Sequence, residues 1–204
     1  MTDLALVGRS SSHFTRTARL FALELGVPHA FRPVLDMTLL DAANYADNPA
    51  LKVPVLVDAG GPLFGTENIC RALAHRSAVR ARVVLRGDVA DRLVANAEEM
   101  TLHAMSTEVT IVMAKMAGGG EPPKARRSLE NSLSFLNDSI DRVLDILPAD
   151  RALSFVEAAL FSSLTHLPWR QVMDVSGYER LMAFSARFSE REGARQTEYR
   201  FDAP

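Results

Sequence analysis

One region of the chain constrains its fold more than any other. Residues 48–56 read NPALKVPVL, and after eight residues the chain continues with GTENICRAL over 65–73. Proline has no backbone N–H to donate to a strand ladder, so Pro54 belongs at the first position of an edge strand or at a special turn. The second stretch has a polar start followed by apolar residues at helical spacing. Together they predict a strand entered through a Val53–Pro54 step and followed closely by a helix.

This pair of elements is typical of a surface that binds an extended peptide. A cis Val53–Pro54 bond, which costs only about 0.5–1 kcal/mol before proline, would turn the backbone of Val53 outward to pair with a ligand. Thr66 is the expected N-cap of the following helix, whose first free amides would attract a carboxylate. The pattern therefore predicts a site for a small peptide with an anionic end.

The N-terminal part of the chain has the pattern βαβ followed by ββα. Pro33 lies inside the second predicted strand, which indicates an edge strand. Gly60 and Gly61 separate two short apolar runs, as in a hairpin. The predicted elements are a strand over 4–8, a helix over 14–25, a strand over 29–35, a hairpin with strands 54–57 and 63–64, and a helix over 66–75.

The C-terminal part has only helical periodicity. Asp88 is the expected N-cap of a long helix running towards Met116, and Pro148 should end a second helix with an apolar stripe over 129–147. Ser154 and Glu157 form a capping box before a third helix. The tail after Thr197 is expected to be loosely held. The predicted domains are 1–77 and 88–204, joined by a linker over 78–87.

Five motifs in this order resemble the soluble glutathione S-transferase family, in particular bacterial-like members with a serine-type loop. They are GRSSSHFTRTAR at 8–19, NPALKVPVL at 48–56, GTENICRAL at 65–73, LSFVEAAL at 153–160 and LMAFSARFSERE at 181–192. The resemblance implies an α/β thioredoxin-like N-terminal domain (βαβ-ββα), which binds glutathione, and an all-α C-terminal helical bundle. It also implies a homodimer in which the first domain packs on the long helices of a partner.

Three consecutive serines, Ser10, Ser11 and Ser12, lie between the first strand and the first helix. A hydroxyl at a helix start can donate to a thiolate, which the free amides and the helix dipole also stabilise. The resemblance implies that Ser12 is the catalytic residue, with Ser10 and Ser11 as rivals. The alternative is that the three serines form only a polar turn and an N-cap.

The resemblance also implies which residues bind glutathione. The Val53 backbone would pair with the cysteinyl unit, Lys52 would bind a terminal carboxylate, and Thr66 would bind the γ-glutamyl carboxylate. In the family pattern Glu, Asp or Gln normally precedes the residue that Thr66 matches, but this chain has Gly65 there. The ligand's ammonium group would therefore need Glu67 or a neighbouring subunit to supply a carboxylate. The predicted glutathione-binding residues are Phe14, Lys52, Val53, Pro54, Gly65, Thr66 and Glu67.

The function that the resemblance implies is glutathione transfer, as in detoxification, with glutathione as co-substrate. A small apolar electrophile would lie between the serine loop and a helix that carries four methionines, half of which are expected in the core. The alternative is a catalytically weak or inactive binding or regulatory protein that kept the fold. The four methionines are Met100, Met105, Met113 and Met116.

Composition excludes several other classes. With a formal net charge of −2, the chain lacks the charge excess of a nucleic-acid or membrane-surface binder. The basic residues Arg76, Arg80, Arg82 and Arg86 are expected to form a solvated connector. Cys70 is the only cysteine, so no intramolecular disulfide forms and a cytoplasmic location is expected. No apolar run is long enough for a membrane span, and the N-terminus is too short for a signal-peptide core.

The histidines predict neither a metal site nor hydrolase chemistry. The five histidines have no metal-ligand spacing along the chain, and no metal is expected. His13 follows Ser12 directly, but adjacent side chains at a helix start point apart, which disfavours a Ser-His catalytic pair.

Overall fold

The structure is a computed structural model that describes residues 4–77 and 82–203. Its N-terminal part has the predicted order βαβ then ββα. A short 3₁₀ helix, Ala42–Tyr45, lies in the connection before the third strand. The elements are β1 (Ala5–Gly8), α1 (His13–Glu24), β2 (Ala30–Pro33), β3 (Val55–Asp58), β4 (Gly61–Phe64) and α2 (Thr66–Arg76).

The four strands form one mixed sheet in the order β2-β1-β3-β4. Strand β1 pairs in parallel with β2 and antiparallel with β3, and β3 and β4 form the predicted antiparallel hairpin. Strand β2 lies at an edge, as Pro33 predicts. Apolar residues of β1, α1 and α2 share one buried cluster, which includes Leu6, Phe21 and Leu73. The thioredoxin-like N-terminal domain is thereby confirmed.

The C-terminal part is a helical region. Helices α3 and α4 are the two longest and pack against each other, and α5 packs against both α3 and α1. Because α5 contacts α1, the helical region holds the start of α1 and the serine loop from one side. The helices are α3 (Arg92–Met116), α4 (Pro123–Ile146), α5 (Phe155–Trp169), α6 (Glu179–Ser189) and α7 (Glu192–Gln196).

Two short strands interrupt this helical part. Strands β5 (Arg82–Val84) and β6 (Arg151–Ser154) pair in parallel. Neither was predicted, because three or four residues are too few to show a period. Strand β5 lies within the predicted linker, so part of that segment is ordered against the helical region, while the domain boundaries stay a prediction.

The start of α3 differs from the prediction. Asp91, and not Asp88, is the N-cap: one oxygen of its side chain accepts the N–H groups of Leu93 at 2.7 Å and Val94 at 3.2 Å. Asp88 instead accepts the N–H of Leu85 at 2.9 Å. The carboxylates of both aspartates accept hydrogen bonds from backbone N–H groups within three residues. Only the tertiary structure decides which of the two begins the helix.

The predicted N-cap of α5 is confirmed. The Ser154 Oγ accepts the Glu157 N–H at 3.2 Å, and the Ser154 hydroxyl donates to the Glu157 carboxylate at 2.6 Å. Arg151 donates two further hydrogen bonds to that carboxylate, at 2.8 and 2.9 Å. Burial by itself would raise the pKa of Glu157, but the bonds from Arg151 and Ser154 outweigh it and the pKa lies below its ordinary value. The start of α5 is therefore a buried and charged anchor.

The basic connector is paired with carboxylates, as expected of a solvated structural segment. Arg76 contacts Asp58, and Arg82 lies 3.4 Å from Asp150. Arg80 lies outside the described residues. In the described part of the chain, no helix is long and apolar enough to cross a membrane.

Candidate active site

Ser12 is the N-cap of α1. Its backbone is extended, with φ −109°, and its Oγ accepts the Thr15 N–H at 3.2 Å. Among the described residues, no acceptor is recorded for the Ser12 hydroxyl hydrogen, which is thus available as a donor. The side chain is half-buried, at the helix end where the partial charge is positive. This is the geometry that stabilises an anion by hydrogen bonding and by the helix dipole.

The two rival serines have different surroundings. Ser10 is buried, its N–H donates to the Asp202 carboxylate at 2.8 Å, and its Oγ lies 3.4 Å from a donor nitrogen of Arg19. Ser11 is half-buried, and its carbonyl accepts from His166 Nε2 at 2.9 Å. The geometry therefore favours Ser12 over Ser10, while the Ser11 side chain stays a rival.

The C-terminal tail packs against this loop, so the expectation of a loosely held tail is wrong. Besides the Asp202 contact, the Tyr199 hydroxyl donates to the Ser162 carbonyl at 2.5 Å, and burial raises the pKa of Tyr199. The Phe201 ring lies 4.9 Å from the Trp169 ring, centroid to centroid. The polar sequence of the tail gave no sign of this, because each contact is to a residue at least 32 positions away.

The NPALKVPVL loop has the backbone that a peptide site needs. The Val53–Pro54 bond is cis, and Val53 lies outside β3, which begins at Val55. Asn48, a residue that the motif analysis passed over, is buried and orders the loop from inside. Its amide donates to the Lys52 carbonyl at 2.7 Å, and its oxygen accepts the Ala50 N–H at 3.0 Å. The Lys52 side chain is exposed.

The start of α2 corrects the prediction for Thr66. Thr66 is the first residue of the helix, and Gly65 is the N-cap, with φ +88° and no side-chain cap. Glycine takes this left-handed backbone without the steric cost that a Cβ adds. The first α-helical bond runs from the Ile69 N–H to the Gly65 carbonyl at 3.0 Å. The N–H groups of the first turn thus have no side-chain cap, which leaves them suited to a carboxylate.

Glu67, the expected substitute partner for an ammonium group, is already in an ion pair. Its carboxylate accepts from Arg86 at 3.2 Å, and Arg86 also donates to Glu99 at 2.5 Å. Both members of the Glu67–Arg86 pair are partly exposed, so the pair is weak and exchangeable. A ligand ammonium would nevertheless compete with Arg86 for Glu67.

Helix α3 has an exposed apolar face near the tail. Val109, Met113 and Met116 follow one another at helical spacing and are 41%, 58% and 69% exposed. Met105 is fully buried and Met100 packs against the core, so half of the four methionines are core, as predicted. Arg170 lies beside Met116 and over the Phe201 ring, which places the exposed face next to the tail aromatics.

His13 points away from Ser12, as predicted. Its Nε2 donates to the Met105 carbonyl at 3.1 Å, and its Nδ1 lies 3.0 Å from Nδ1 of His166. Glu108 completes the group, with Oε1 2.6 Å from His166 Nδ1. Burial, and then the neighbouring His166, hold the pKa of His13 well below its ordinary value, and burial raises the pKa of Glu108. Sequence reasoning missed this cluster because its members are 95 and 58 positions apart.

We expect Cys70 to be unreactive in the folded protein. The side chain is fully buried, and burial followed by the charge of Glu67 holds the pKa of the thiol well above its ordinary value. An aromatic disulfide reagent should label Cys70 only after local opening of the fold, which costs about 4 kcal/mol or more in free energy. The labelling rate should therefore be about a thousandfold below that of the unfolded chain. Labelling followed by absorbance, with and without denaturant, checks this. Rapid labelling of the native protein would contradict it.

The fold and the loop geometry define a class: a thioredoxin-like domain with a serine N-cap and a cis-proline loop, followed by a helical domain. Residues 6–81 match the family model described as "Glutathione S-transferase, N-terminal domain". A comparison with curated proteins gives no sequence match.

Three solved structures show how far the fold likeness extends. A glutathione S-transferase from Methylobacillus flagellatus KT with glutathione bound has a TM-score of 0.80 at 21% identity, over 97% of this chain and 100% of that one. A glutathione transferase family member from Pseudomonas fluorescens Pf-5 with bound glutathione has 0.78 at 20%, over 97% and 99%. A glutathione S-transferase from Methylobacterium radiotolerans JCM 2831 in complex with glutathione sulfonate has 0.76 at 18%, over 100% and 98%. Residues 6–81 thus match the glutathione S-transferase N-terminal domain, and the chain over nearly its whole length shares the fold of these three structures.

Proposed function

We propose that this protein is a glutathione transferase. It binds glutathione on its N-terminal domain and uses the Ser12 hydroxyl to stabilise the thiolate, which attacks a small apolar electrophile. The observation that carries the proposal is the Ser12 hydroxyl at the start of α1, with its oxygen accepting from Thr15 and its hydrogen available to donate. The glutathione bound in solved structures of the same fold supports this choice of co-substrate.

The peptide part of glutathione pairs with the Val53 backbone beside the cis Pro54. The γ-glutamyl carboxylate binds at the start of α2, where Thr66 and the first-turn N–H groups lie beside Gly65 and Glu67. Lys52, exposed on the loop that Asn48 orders, binds the other carboxylate. In the proposed complex Phe14, the half-buried residue of the first turn of α1, lies beside the ligand.

The chemistry is ionisation followed by attack. A thiol with an ordinary pKa of about 8.5 is mostly protonated at neutral pH, and the thiolate is the nucleophile. A hydrogen bond from Ser12 and the positive end of α1 favour the thiolate, so its proton leaves to solvent on binding. The sulfur then forms a bond to the electrophilic carbon. In a substitution that carbon releases its leaving group with the bonding electron pair, and in an addition the anionic product takes up a proton from solvent.

The electrophile lies between the serine loop and the exposed face of α3. Met113, Met116 and the tail residue Phe201 are exposed apolar groups on that side. Methionine adapts its shape to different apolar ligands, which suits a detoxification enzyme with varied electrophiles. The protein acts in the cytoplasm as a homodimer in which the first domain packs on the partner's long helices. It uses no metal for this transfer, and it acts on neither nucleic acid nor membrane.

A second candidate is a catalytically weak or inactive family member that binds or regulates another molecule. It is favoured by Gly65, which has no side chain for the ligand's ammonium, and by Glu67, which is paired with Arg86. A missing hydrogen bond to a charged group costs about 1.5–3 kcal/mol, or roughly ten- to a hundredfold in binding. This candidate requires the absence of turnover across chemically varied electrophiles.

Calorimetric titration with reduced glutathione distinguishes the two. It is done near neutral pH in two buffers of different ionisation enthalpy, which reports binding and proton release together. We expect saturable binding with release of a fraction of a proton, because the thiol ionises on the protein. Binding without proton release contradicts the activating role of Ser12. The absence of binding at millimolar glutathione contradicts the transferase and favours the second candidate.

A further inference from the structure

Three ionisable side chains from three helices meet in the interior between the two domains. They are His13 at the start of α1, Glu108 in the middle of α3 and His166 in α5, and all three are buried. Each offers one nitrogen or oxygen to the same small volume, and these three atoms lie within 4.8 Å of one another.

The backbone fixes which nitrogen of each histidine faces the cluster. A carbonyl oxygen only accepts, so His13 Nε2–H donates to Met105 and His166 Nε2–H donates to Ser11. In the neutral form of each ring, Nδ1 is then a lone pair, and the two Nδ1 atoms face each other at 3.0 Å. Metal-ligating histidines have this same arrangement, in which the other ring N–H is held by a backbone carbonyl or a carboxylate.

A single proton does not satisfy this geometry. Shared between His166 Nδ1 and Glu108 Oε1 at 2.6 Å, it leaves His13 Nδ1 without a donor. The second carboxylate oxygen, Oε2, has no hydrogen-bond partner among the described residues and lies 3.8 Å from His13 Nδ1. Buried polar atoms are rarely left without a partner, and an unpaired carboxylate oxygen in the interior is costly. A divalent cation would coordinate both Nδ1 atoms and the Glu108 carboxylate, and would so give each of the three groups a partner.

We propose that His13, Glu108 and His166 bind a divalent first-row transition metal ion, with zinc as the representative ion. Two imidazole nitrogens and a carboxylate form a ligand set that such ions accept. In a tetrahedral site with metal–ligand distances of about 2.0–2.1 Å, ligand atoms lie about 3.4 Å apart. The observed separations are 3.0 Å between the two Nδ1 atoms, 2.6 Å between His166 Nδ1 and Glu108 Oε1, and 3.8 Å between His13 Nδ1 and Glu108 Oε2. Each of them differs from that distance by less than 1 Å.

The ion would act as a structural link between the domains. His13 follows Ser12 directly, and Glu108 and His166 belong to the helical region, so the ion would fix the first turn of α1 against α3 and α5. The inference does not depend on the proposed function, because its tests need no glutathione.

Cobalt is the probe, since Co²⁺ replaces Zn²⁺ in such sites and its visible spectrum reports the ligand geometry. The protein, purified without a histidine tag, is unfolded and refolded with Co²⁺, which gives the ion access to side chains that are buried in the folded state. A chelating resin then removes the unbound Co²⁺. We expect one equivalent of Co²⁺ per chain, visible absorption bands of a low-coordinate site, and a higher thermal midpoint than that of the metal-free protein.

The variants Glu108→Gln and His166→Gln should bind Co²⁺ at least about tenfold more weakly. His103→Gln is the matched control, because His103 lies on α3 and contacts Ser128 outside the cluster; it should retain the equivalent. If the wild-type protein retains no Co²⁺ or Zn²⁺ after refolding, a proton holds the cluster and the proposal is wrong. Equal retention of Co²⁺ by the wild type and by the cluster variants also overturns the proposal. If those variants fail to fold, the amount of Co²⁺ that the wild-type protein retains decides whether the proposal holds.

Discussion

Replacing Ser12 with alanine should lower kcat/KM for conjugation of a generic aromatic electrophile by about ten- to a hundredfold. The hydroxyl is available to donate to the thiolate, and a hydrogen bond to a charged group contributes about 1.5–3 kcal/mol. Without it the pKa of the bound thiol rises, so the pH profile of kcat/KM should move to higher pH. Steady-state assays between pH 6 and about pH 9 measure both effects.

The variant will also lose stability, because Ser12 caps α1. Loss of a serine N-cap costs about 0.5–2 kcal/mol in the free energy of unfolding. Ser154→Ala is the matched control, since Ser154 caps α5 in the same way with an oxygen-to-nitrogen distance of 3.2 Å. It should lose at least as much stability and keep its activity. Activity equal to wild type in Ser12→Ala would remove Ser12 from the mechanism, and loss confined to Ser11→Ala would transfer the role to Ser11.

Introducing a carboxylate at position 65 should strengthen glutathione binding by up to about a hundredfold. In the proposed complex Gly65→Glu supplies the ammonium partner that the family pattern has and this chain lacks, a contact that contributes about 1.5–3 kcal/mol. A Cβ at this position meets only Asn68 Nδ2, at 3.4 Å, so space is available. The φ of +88° is strained for any residue with a Cβ, at about 1–3 kcal/mol, so the thermal midpoint should fall.

Gly65→Ala separates these two effects. It has the same backbone strain as Gly65→Glu and no carboxylate, so it should show the lower thermal midpoint without the gain in affinity. Titration calorimetry with glutathione and thermal unfolding measure the pair. Equal affinity in the two variants would show that the ammonium group does not lie near position 65, and would count against the proposed orientation of glutathione along α2.

Local signals in the sequence predicted most of the N-terminal domain. A short continuous apolar run identified β1, and apolar residues at helical spacing identified α1 and α2. Prolines placed β2 at an edge and marked the Val53–Pro54 bond as a candidate cis bond. These predictions succeed because each depends on neighbours within a few residues. The N-cap of α5 is of the same kind, since Ser154 and Glu157 are three residues apart.

Two of the predictions that failed involved a choice between similar local signals. Thr66 is a good N-cap residue, but the chain enters α2 with a left-handed backbone that Gly65 takes more easily, so Gly65 and not Thr66 is the N-cap. Asp88 and Asp91 both suit an N-cap, and the packing of α3 selects Asp91. Propensity alone does not rank such neighbours, because tertiary contacts contribute more than the difference between them.

The sequence by itself determined the order of elements in the N-terminal part, the loop that presents Val53 and Pro54, and the run of three serines before α1. Only the tertiary structure decided that the tail closes on Ser10 and that His13, Glu108 and His166 meet in the interior. The physical reason is separation along the chain. Periodicity and capping act within one or two turns, whereas these contacts join residues 58 to 192 positions apart and exist only once the two domains have packed.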